Sequence, residues 1–473
     1  MPKETKSPST VKQPPWPAVP IPTPEQVYAG VSEQAKEYNL FLESILRQEK
    51  NFDKPENLDG LRVLDCTTSM TIGHWCSSQL AELGAETIQV EPPGGDPLRK
   101  LVPFGRQEYM FKDTVVGEEV GPHFLHEMRN KQSVTLSLEK PQGRDILKQL
   151  AVHMDVLIEN APPGQWDRWG IGYRQLREIN PRLVYCWVGQ RGQWGPLKDK
   201  RGVLDPVAQA SCGFVHGTGT PREMGGSPTR SAMWVADHVG GTAAAMGILA
   251  AVLYRDRVSG KGQFVEATGA EAIMRILDYN WAWYGLDGSI RPRYGNWDLA
   301  INIYAVNPCK DGYMMVGGGH DRLWYRIWRT VGKDRPDVEQ DIVSDPKLRE
   351  VTERLGHEMQ VKTYSMLCEW MKDTTRGEAE KALLAEEVAS GGVTYIDEVA
   401  EYPHFKYRGH VAMHNDPFYG DVLYGTTPFL QHRCPGRLKW IGRPAGYDNE
   451  DVYKRLLGLG RVDQEQLAKA GVI

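Results

Sequence analysis

From Leu61 onward the chain alternates short apolar runs with stretches of helical periodicity. Residues 61–66 (Leu-Arg-Val-Leu-Asp-Cys) read as a strand, 73–83 as a helix and 86–90 as a second strand. Pro92-Pro-Gly-Gly-Asp-Pro97 breaks the chain, and the cycle then repeats. Strands are predicted over 133–137, 156–159 and 183–187. Helices are predicted over 141–153, with Ile146, Leu147, Leu150 and Ala151 on one face, and over 173–179. This rhythm predicts βαβ units and a parallel sheet. Residues 236–257 predict a long buried helix with a seam of small residues, Gly240, Gly241, Ala243, Ala244 and Gly247. A strand over 262–266 and a helix over 270–284 follow. The expected fold class is α/β, a Rossmann-like open parallel sheet in a large domain.

Residues 1–24 are proline-rich and polar and read as an extended arm, and 25–52 carry a helical pattern. Together they make an N-terminal extension, 1–55. The large domain is expected over 56–284 and again over 423–473, and a smaller α+β domain over 285–422. In that small domain 312–316 reads as a strand, Gly317-Gly-Gly319 as a turn, and 323–331 and 364–371 as helices. A last helix is expected over 451–457.

Bulk properties narrow the function. A net charge of -5 without a long basic run disfavours nucleic acid as a partner. Seven scattered cysteines with no C-x-x-C disfavour a disulfide scaffold or a zinc module and fit a reducing, cytoplasmic setting. The longest apolar stretch, 243–254, is shorter than the roughly 20 residues that span a bilayer, so no membrane role is expected. Gly217-Thr-Gly219 runs into Pro221 and is no dinucleotide fingerprint.

The stretch Arg201-Gly-Val-Leu-Asp-Pro-Val-Ala-Gln-Ala-Ser-Cys-Gly213 carries the candidate chemistry. Pro206 suits the first position of a helix, and Asp205 before it suits an N-cap close to free backbone N–H groups. The bland reading is a structural cap.

The same stretch resembles the Asp-x-x-x-Gln-Ala-x-x-Gly segment of the class III CoA-transferases, the formyl-CoA transferase and carnitine CoA-transferase family. Other segments match that family in order: Leu83-Gly-Ala-Glu-Thr-Ile-Gln-Val-Glu-Pro-Pro-Gly-Gly-Asp-Pro-Leu-Arg99, Asn130-Lys-Gln-Ser-Val-Thr-Leu136, Asp155-Val-Leu-Ile-Glu-Asn-Ala-Pro-Pro-Gly164, Trp169-Gly-Ile-Gly-Tyr173 and Ser259-Gly-Lys-Gly-Gln263. The resemblance covers about Leu61 to Ile473. It implies a large domain built from both chain ends, two interlocked ring-shaped subunits, and either a homodimer or a heteromer with a related subunit. It implies Asp205 as a nucleophile that passes through an anhydride and an aspartyl-CoA thioester. CoA is then a substrate, carried in by an acyl-CoA such as succinyl-CoA and passed to a carboxylic acid. No metal and no resident cofactor are needed.

By motif position, Arg99, Asn130, Lys131, Asn160, Ala161 and Arg168 are implied to line the CoA site. Met70 and Thr71 in the loop after the first strand, and Gly295, Asn296 and Trp297 in a glycine loop, are implied on the acceptor side. Gly317-Gly-Gly-His320 is a second candidate for that loop. The sequence departs from the family at Ala161-Pro-Pro163 and by an insertion over 102–127. Together with the aromatics Trp281, Trp283, Tyr284 and Trp297, these departures lean the acceptor toward a bulkier or aromatic acid. Two rivals stay open. An α-methylacyl-CoA racemase shares the fold, but its members place a His before the equivalent Asp, where this chain has Leu204. A non-catalytic CoA-binding subunit is the other.

Overall fold

The structure, a computed structural model, describes residues 22–197 and 204–473. Most of the N-terminal arm and the Arg201-Gly202 turn lie outside the described residues. The chain divides into two compact units, 1–214 with 231–278 and 400–473, and 215–230 with 279–399. These bounds differ from the expected ones at three places. Residues 215–230 and 279–284 go with the second unit, and 400–422 go with the first. The reason for the latter is visible. The hairpin Val411–Asp416 and Gly420–Gly425 turns through Phe418 and Tyr419, which pack with Val120, Phe124 and Leu125 of the 102–127 insertion and with Met128, Leu438 and Ile441.

The first unit holds a six-stranded sheet. Its strands are β1 (Arg62–Asp65), β2 (Glu86–Glu91), β3 (Lys131–Thr135), β4 (Val156–Glu159), β5 (Val184–Gly189) and β6 (Phe264–Thr268). They lie in the order β3-β2-β1-β4-β5-β6, and every pairing is parallel. β1, β4 and β5 are almost wholly buried, which is why they read as continuous apolar runs. Helices α1 (Thr71–Glu82), α2 (Pro141–Val152), α3 (Tyr173–Ile179), α4 (Asp205–Ser211), α5 (Val235–Tyr254) and α6 (Gly269–Arg275) accompany it. The strand order reverses between β1 and β4, so the loops after these strands meet at the switch point where open α/β sheets bind ligands.

α5 is a core helix. Ala236, Gly240, Gly241, Ala244, Ala245, Ile248 and Ala251 form its buried side. With its continuation to Ser259 it is long and apolar enough to cross a membrane by length and composition, longer than the 243–254 stretch expected. The small residues have a geometric purpose. A Cβ on Gly240 would stand 2.9 Å from the Gly269 Cα, and one on Gly269 would stand 2.8 Å from the Ala236 carbonyl oxygen. The expected helix over 270–284 is broken instead into α6 and Asn280–Asp287.

The second unit has a three-stranded antiparallel sheet, Ala389–Gly392, Gly312–Gly317 and Tyr304–Cys309 in that order. Met314, Val316, Trp324, Ile327 and Trp328 centre its own core. Gly318 and Gly319 turn from strand to helix against Ile327 and Ile301, where a Cβ would approach within 2.3 and 2.8 Å.

Candidate active site

Asp205 is the first residue of α4, one position inside the helix, and Leu204 is the N-cap. The carboxylate does not cap its own helix, contrary to the sequence reading. It turns to α5. Its Oδ2 accepts the backbone N–H of Asp237 at 3.1 Å, and its Oδ1 accepts Gln209 Nε2 at 2.5 Å. Asp237 stands in the first turn of α5, whose own N-cap, Trp234, makes no side-chain cap. Asp205 therefore serves as a cap supplied from another helix. Its negative charge meets the positive end of a 20-residue helix dipole. Gln209, one turn along α4, is fixed in turn by the Met233 carbonyl at 3.2 Å and the Ser231 N–H at 3.2 Å. Ala208, Cys212, Ala236, Ala270 and Ile273 pack the starts of α4, α5 and α6 together.

A second carboxyl group lies beside it. Asp237 Oδ1 accepts Gln190 Nε2 at 2.5 Å, from the residue that follows β5. Burial and the neighbouring Asp205 charge push the Asp237 acid up to about 7. Glu127, fully buried, contacts His126 Nδ1 at 3.0 Å and His238 Nε2 at 3.7 Å. Despite its burial these imidazoles hold it well below the usual carboxylate range. His238 in turn bonds the Trp234 carbonyl at 2.7 Å.

The loop after β1 is built by three anchors. Asp65 Oδ1 accepts the Thr67 N–H at 2.9 Å, and Asp96 Oδ2 accepts the Ser69 N–H at 3.0 Å. Asn160 accepts the Thr68 N–H at 3.1 Å and donates to the Thr68 carbonyl at 2.8 Å. Asn160 thus ties the β4 loop to the β1 loop across the switch point. Met70 is the N-cap of α1, and the buried Thr71 hydroxyl pairs with His123 Nε2 at 2.8 Å. His123 packs edge-on to Trp234 with ring centres 4.2 Å apart. Burial holds its imidazole down at about 4, so the ring is neutral. The 102–127 insertion therefore supplies His123, His126 and Glu127 to this region, which periodicity alone did not reveal.

Ala161 donates its N–H to Glu159 at 2.6 Å and accepts Trp187 Nε1 at 3.0 Å. Burial lifts the Glu159 acid to about 8, against the pull of the Ala161 N–H and the Tyr185 hydroxyl. Glu159, Trp166, Tyr173, Tyr185 and Phe264 line a cavity of about 150 Å³. Arg168 is exposed at the end of the short helix Gln165–Arg168.

Three other residues that the resemblance implied at the CoA site are buried in contacts within the protein. Lys131 has a side chain with no exposed surface. Its Nζ donates to Asp65 at 3.2 Å, the His74 carbonyl at 2.9 Å and Gln89 at 3.4 Å, which uses all three of its protons. Arg99 forks onto Glu91 at 2.6 and 2.7 Å and reaches Glu118 at 3.4 Å and the Arg443 carbonyl at 3.0 Å. Asn130, at φ 58°, staples the return of the chain: its amide meets the Arg437 carbonyl at 2.7 Å and the Lys439 N–H at 2.6 Å. Neither cation keeps the exposed donors that a phosphate needs.

Gly295, Asn296 and Trp297 belong to the second unit. Gly295, at φ 66°, donates to the Gly219 carbonyl at 3.0 Å, and Asn296 accepts the Val306 N–H at 3.3 Å. Trp297 packs on Tyr364 with ring centres 5.0 Å apart, against that unit's core. Trp281 and Tyr284 are about half exposed on Asn280–Asp287.

A family model described as CoA-transferase family III matches residues 58–449. Among curated proteins, the chain is similar to a succinyl-CoA–D-citramalate CoA-transferase of Chloroflexus aurantiacus, 31% identical over 89% of this chain and 98% of that protein. It is also similar to a succinyl-CoA–L-malate CoA-transferase beta subunit of the same organism, 31% identical over 85% of this chain and 94% of that protein. Among solved structures, a CaiB/BaiF family protein of Brucella suis superposes with a TM-score of 0.74 at 26% identity, covering 85% of this chain and all of that one.

Proposed function

Because this chain belongs to CoA-transferase family III, we propose that it moves CoA from succinyl-CoA to a carboxylic acid through covalent catalysis at Asp205. The observation that carries the reading is a buried carboxylate held on both oxygens by N–H donors, within the matched region. One oxygen attacks the thioester carbonyl, the C–S bond breaks and CoA leaves as the thiolate. A mixed anhydride remains. The thiolate then attacks the aspartyl carbonyl, the donor acid leaves, and an aspartyl-CoA thioester stands on Asp205. The acceptor carboxylate attacks that thioester and forms a second anhydride. The thiolate closes the cycle on the acceptor's carbonyl and frees Asp205. The donors that align the carboxylate also stabilise charge on the oxygen that does not bond.

For CoA itself we favour the loop Asn160–Ala161 and the exposed Arg168, at the carboxyl end of β4. Arg99, Asn130 and Lys131 are left as structural residues. The relatives' names put D-citramalate and L-malate among the acceptors to try first. The bulkier or aromatic acid expected from the sequence is the second choice, because Trp297 packs into the core of its own unit. A homodimer or a heteromer with a related chain is the proposed assembly.

The test is to incubate the protein with a panel of acyl-CoAs, digest it, and look by mass spectrometry for CoA or hydroxylamine adducts on Asp205. An adduct is expected with succinyl-CoA and is expected to vanish in D205N. Folded protein that binds CoA yet never forms the adduct would overturn the reading. Solvent deuterium entering the α position of an acyl-CoA would replace it with a racemase.

A further inference from the structure

We infer that Asp237 is a positioning residue for the Asp205 nucleophile: its backbone N–H fixes one oxygen of Asp205, and its own carboxyl group, tied to Gln190, keeps the pair to a single negative charge. The inference rests on the transferase reading of Asp205.

The geometry argues for one charge. Both groups are buried, Asp205 at 4% and Asp237 at 6% exposure. Among the described residues, the donors that reach them are the side-chain amides of Gln209 and Gln190 and one backbone N–H. None of these donors carries a charge. Two neighbouring buried carboxyl groups with only neutral donors do not both ionise. The geometry also says which one keeps the proton. Both carboxyl groups stand at the start of α5, but Asp205 receives two hydrogen bonds, whereas Asp237 receives one. The anion therefore stays on Asp205 and the proton on Asp237. Gln190 Oε1 is buried without a donor, and a half-turn of that amide presents it to the Asp237 O–H.

The charged groups facing Asp237 agree with this assignment. Burial opposes its ionisation most, and Asp205 from α4 adds to it. Glu127, from the helix Pro122–Glu127, acts the same way, while His238 beside it on α5 and the Gln190 amide act against. His238 and Glu127 face each other and largely offset. Ionising Asp237 sets a second negative charge against Asp205 and against the oxyanion that forms there. Transfer should therefore fall as pH rises through about 7.

The experiment compares wild type with D237N and D237A, all checked for folding by circular dichroism. First, the infrared difference spectrum of wild type minus D237N is recorded from about pH 5 to about pH 9. A protonated-carboxyl C=O band is expected at the acid end and is expected to fade with a midpoint near 7. Second, rates of adduct formation at Asp205 and of turnover are taken over the same range. Wild type should lose kcat on the alkaline side. D237N, unable to ionise, should lose about tenfold in kcat and show no alkaline limb. D237A, which leaves Gln190 unpaired, should lose a further ~10-fold with KM for the acyl-CoA little changed. An absent band, or an alkaline limb that survives in D237N, would overturn the inference while the adduct still supports the transferase. A band without any adduct on wild-type Asp205 would instead overturn the transferase reading, and the nucleophile that Asp237 positions with it.

Discussion

Lys131 carries its charge into the middle of the first unit, and a residue's type does not announce such a choice. Asp65, opposed by burial but drawn down by Lys131 and His74, is the anion that receives it. Removing one member of a buried ion pair strands the other, so K131M should destabilise the fold by about 3 kcal/mol. Urea denaturation measures this. An unchanged urea midpoint with a raised KM for acyl-CoA would return Lys131 to the CoA site. His74 makes a second prediction at this scale. It lies between Asp65 at 3.6 Å and Asp96 at 3.5 Å, and although burial opposes it, these contacts raise its pKa to about 10. A raised histidine pKa stabilises the fold fully below about 6.5 and loses that contribution as pH climbs through 10. Asp96, lowered to about 2, contributes above its ordinary value and loses it as pH falls through 2. Wild type should therefore lose urea resistance from neutral toward pH 10, and H74Q should show a much shallower decline over that window. Asp205 was legible as the candidate because its Asp-Pro pair and its downstream Gln209 stand in a recognisable segment. Asp237, His123 and Glu127 were not. They lie in stretches that read only as helix or insertion, and they acquire meaning by contact.

At the scale of elements, the start of α5 organises the site. A helix N-terminus carries unpaired N–H groups, and here a carboxylate from α4 satisfies one of them. α6 packs closely on the same start of α5, which Gly240 and Gly269 permit. G269A should push on Gln190 Oε1, 2.2 Å from the new Cβ, and on the Ala236 carbonyl. We expect a loss of about 1–3 kcal/mol in thermal or urea denaturation, with kcat falling because Gln190 and Asp237 move with it. Wild-type stability in G269A would remove the close-approach argument. The strands and most helices of the parallel sheet were legible to within a few residues, since β1, β4 and β5 are apolar on both faces. The break between α6 and Asn280–Asp287 was not, because the apolar pattern runs on across it.

At the scale of the molecule, the N-terminal extension precedes the region that the family model matches. Its helix Glu33–Leu46 docks on the first unit through Glu43, which accepts the Tyr28 and Tyr407 hydroxyls at 2.7 Å each. Together with His404, residues 406–409 and Leu430 the extension lines an open cavity of about 590 Å³. A chain starting at residue 57 should lower the melting temperature yet still form the Asp205 adduct. Loss of the adduct from folded, truncated protein would give the extension a part in the chemistry.

The sequence by itself determined the parallel α/β plan and the family, and it singled out Asp205 as the candidate nucleophile, because periodicity and a local motif are properties of neighbouring residues. The tertiary structure alone decided which charges are free. Lys131, Arg99 and Asn130 sit in matching motifs, but burial spends their donors on protein partners. It also decided the pairing of Asp205 with Asp237, 32 residues on. That pairing depends on α4 and the start of α5 packing together, and hydrogen bonds between distant residues leave no periodic mark on the chain.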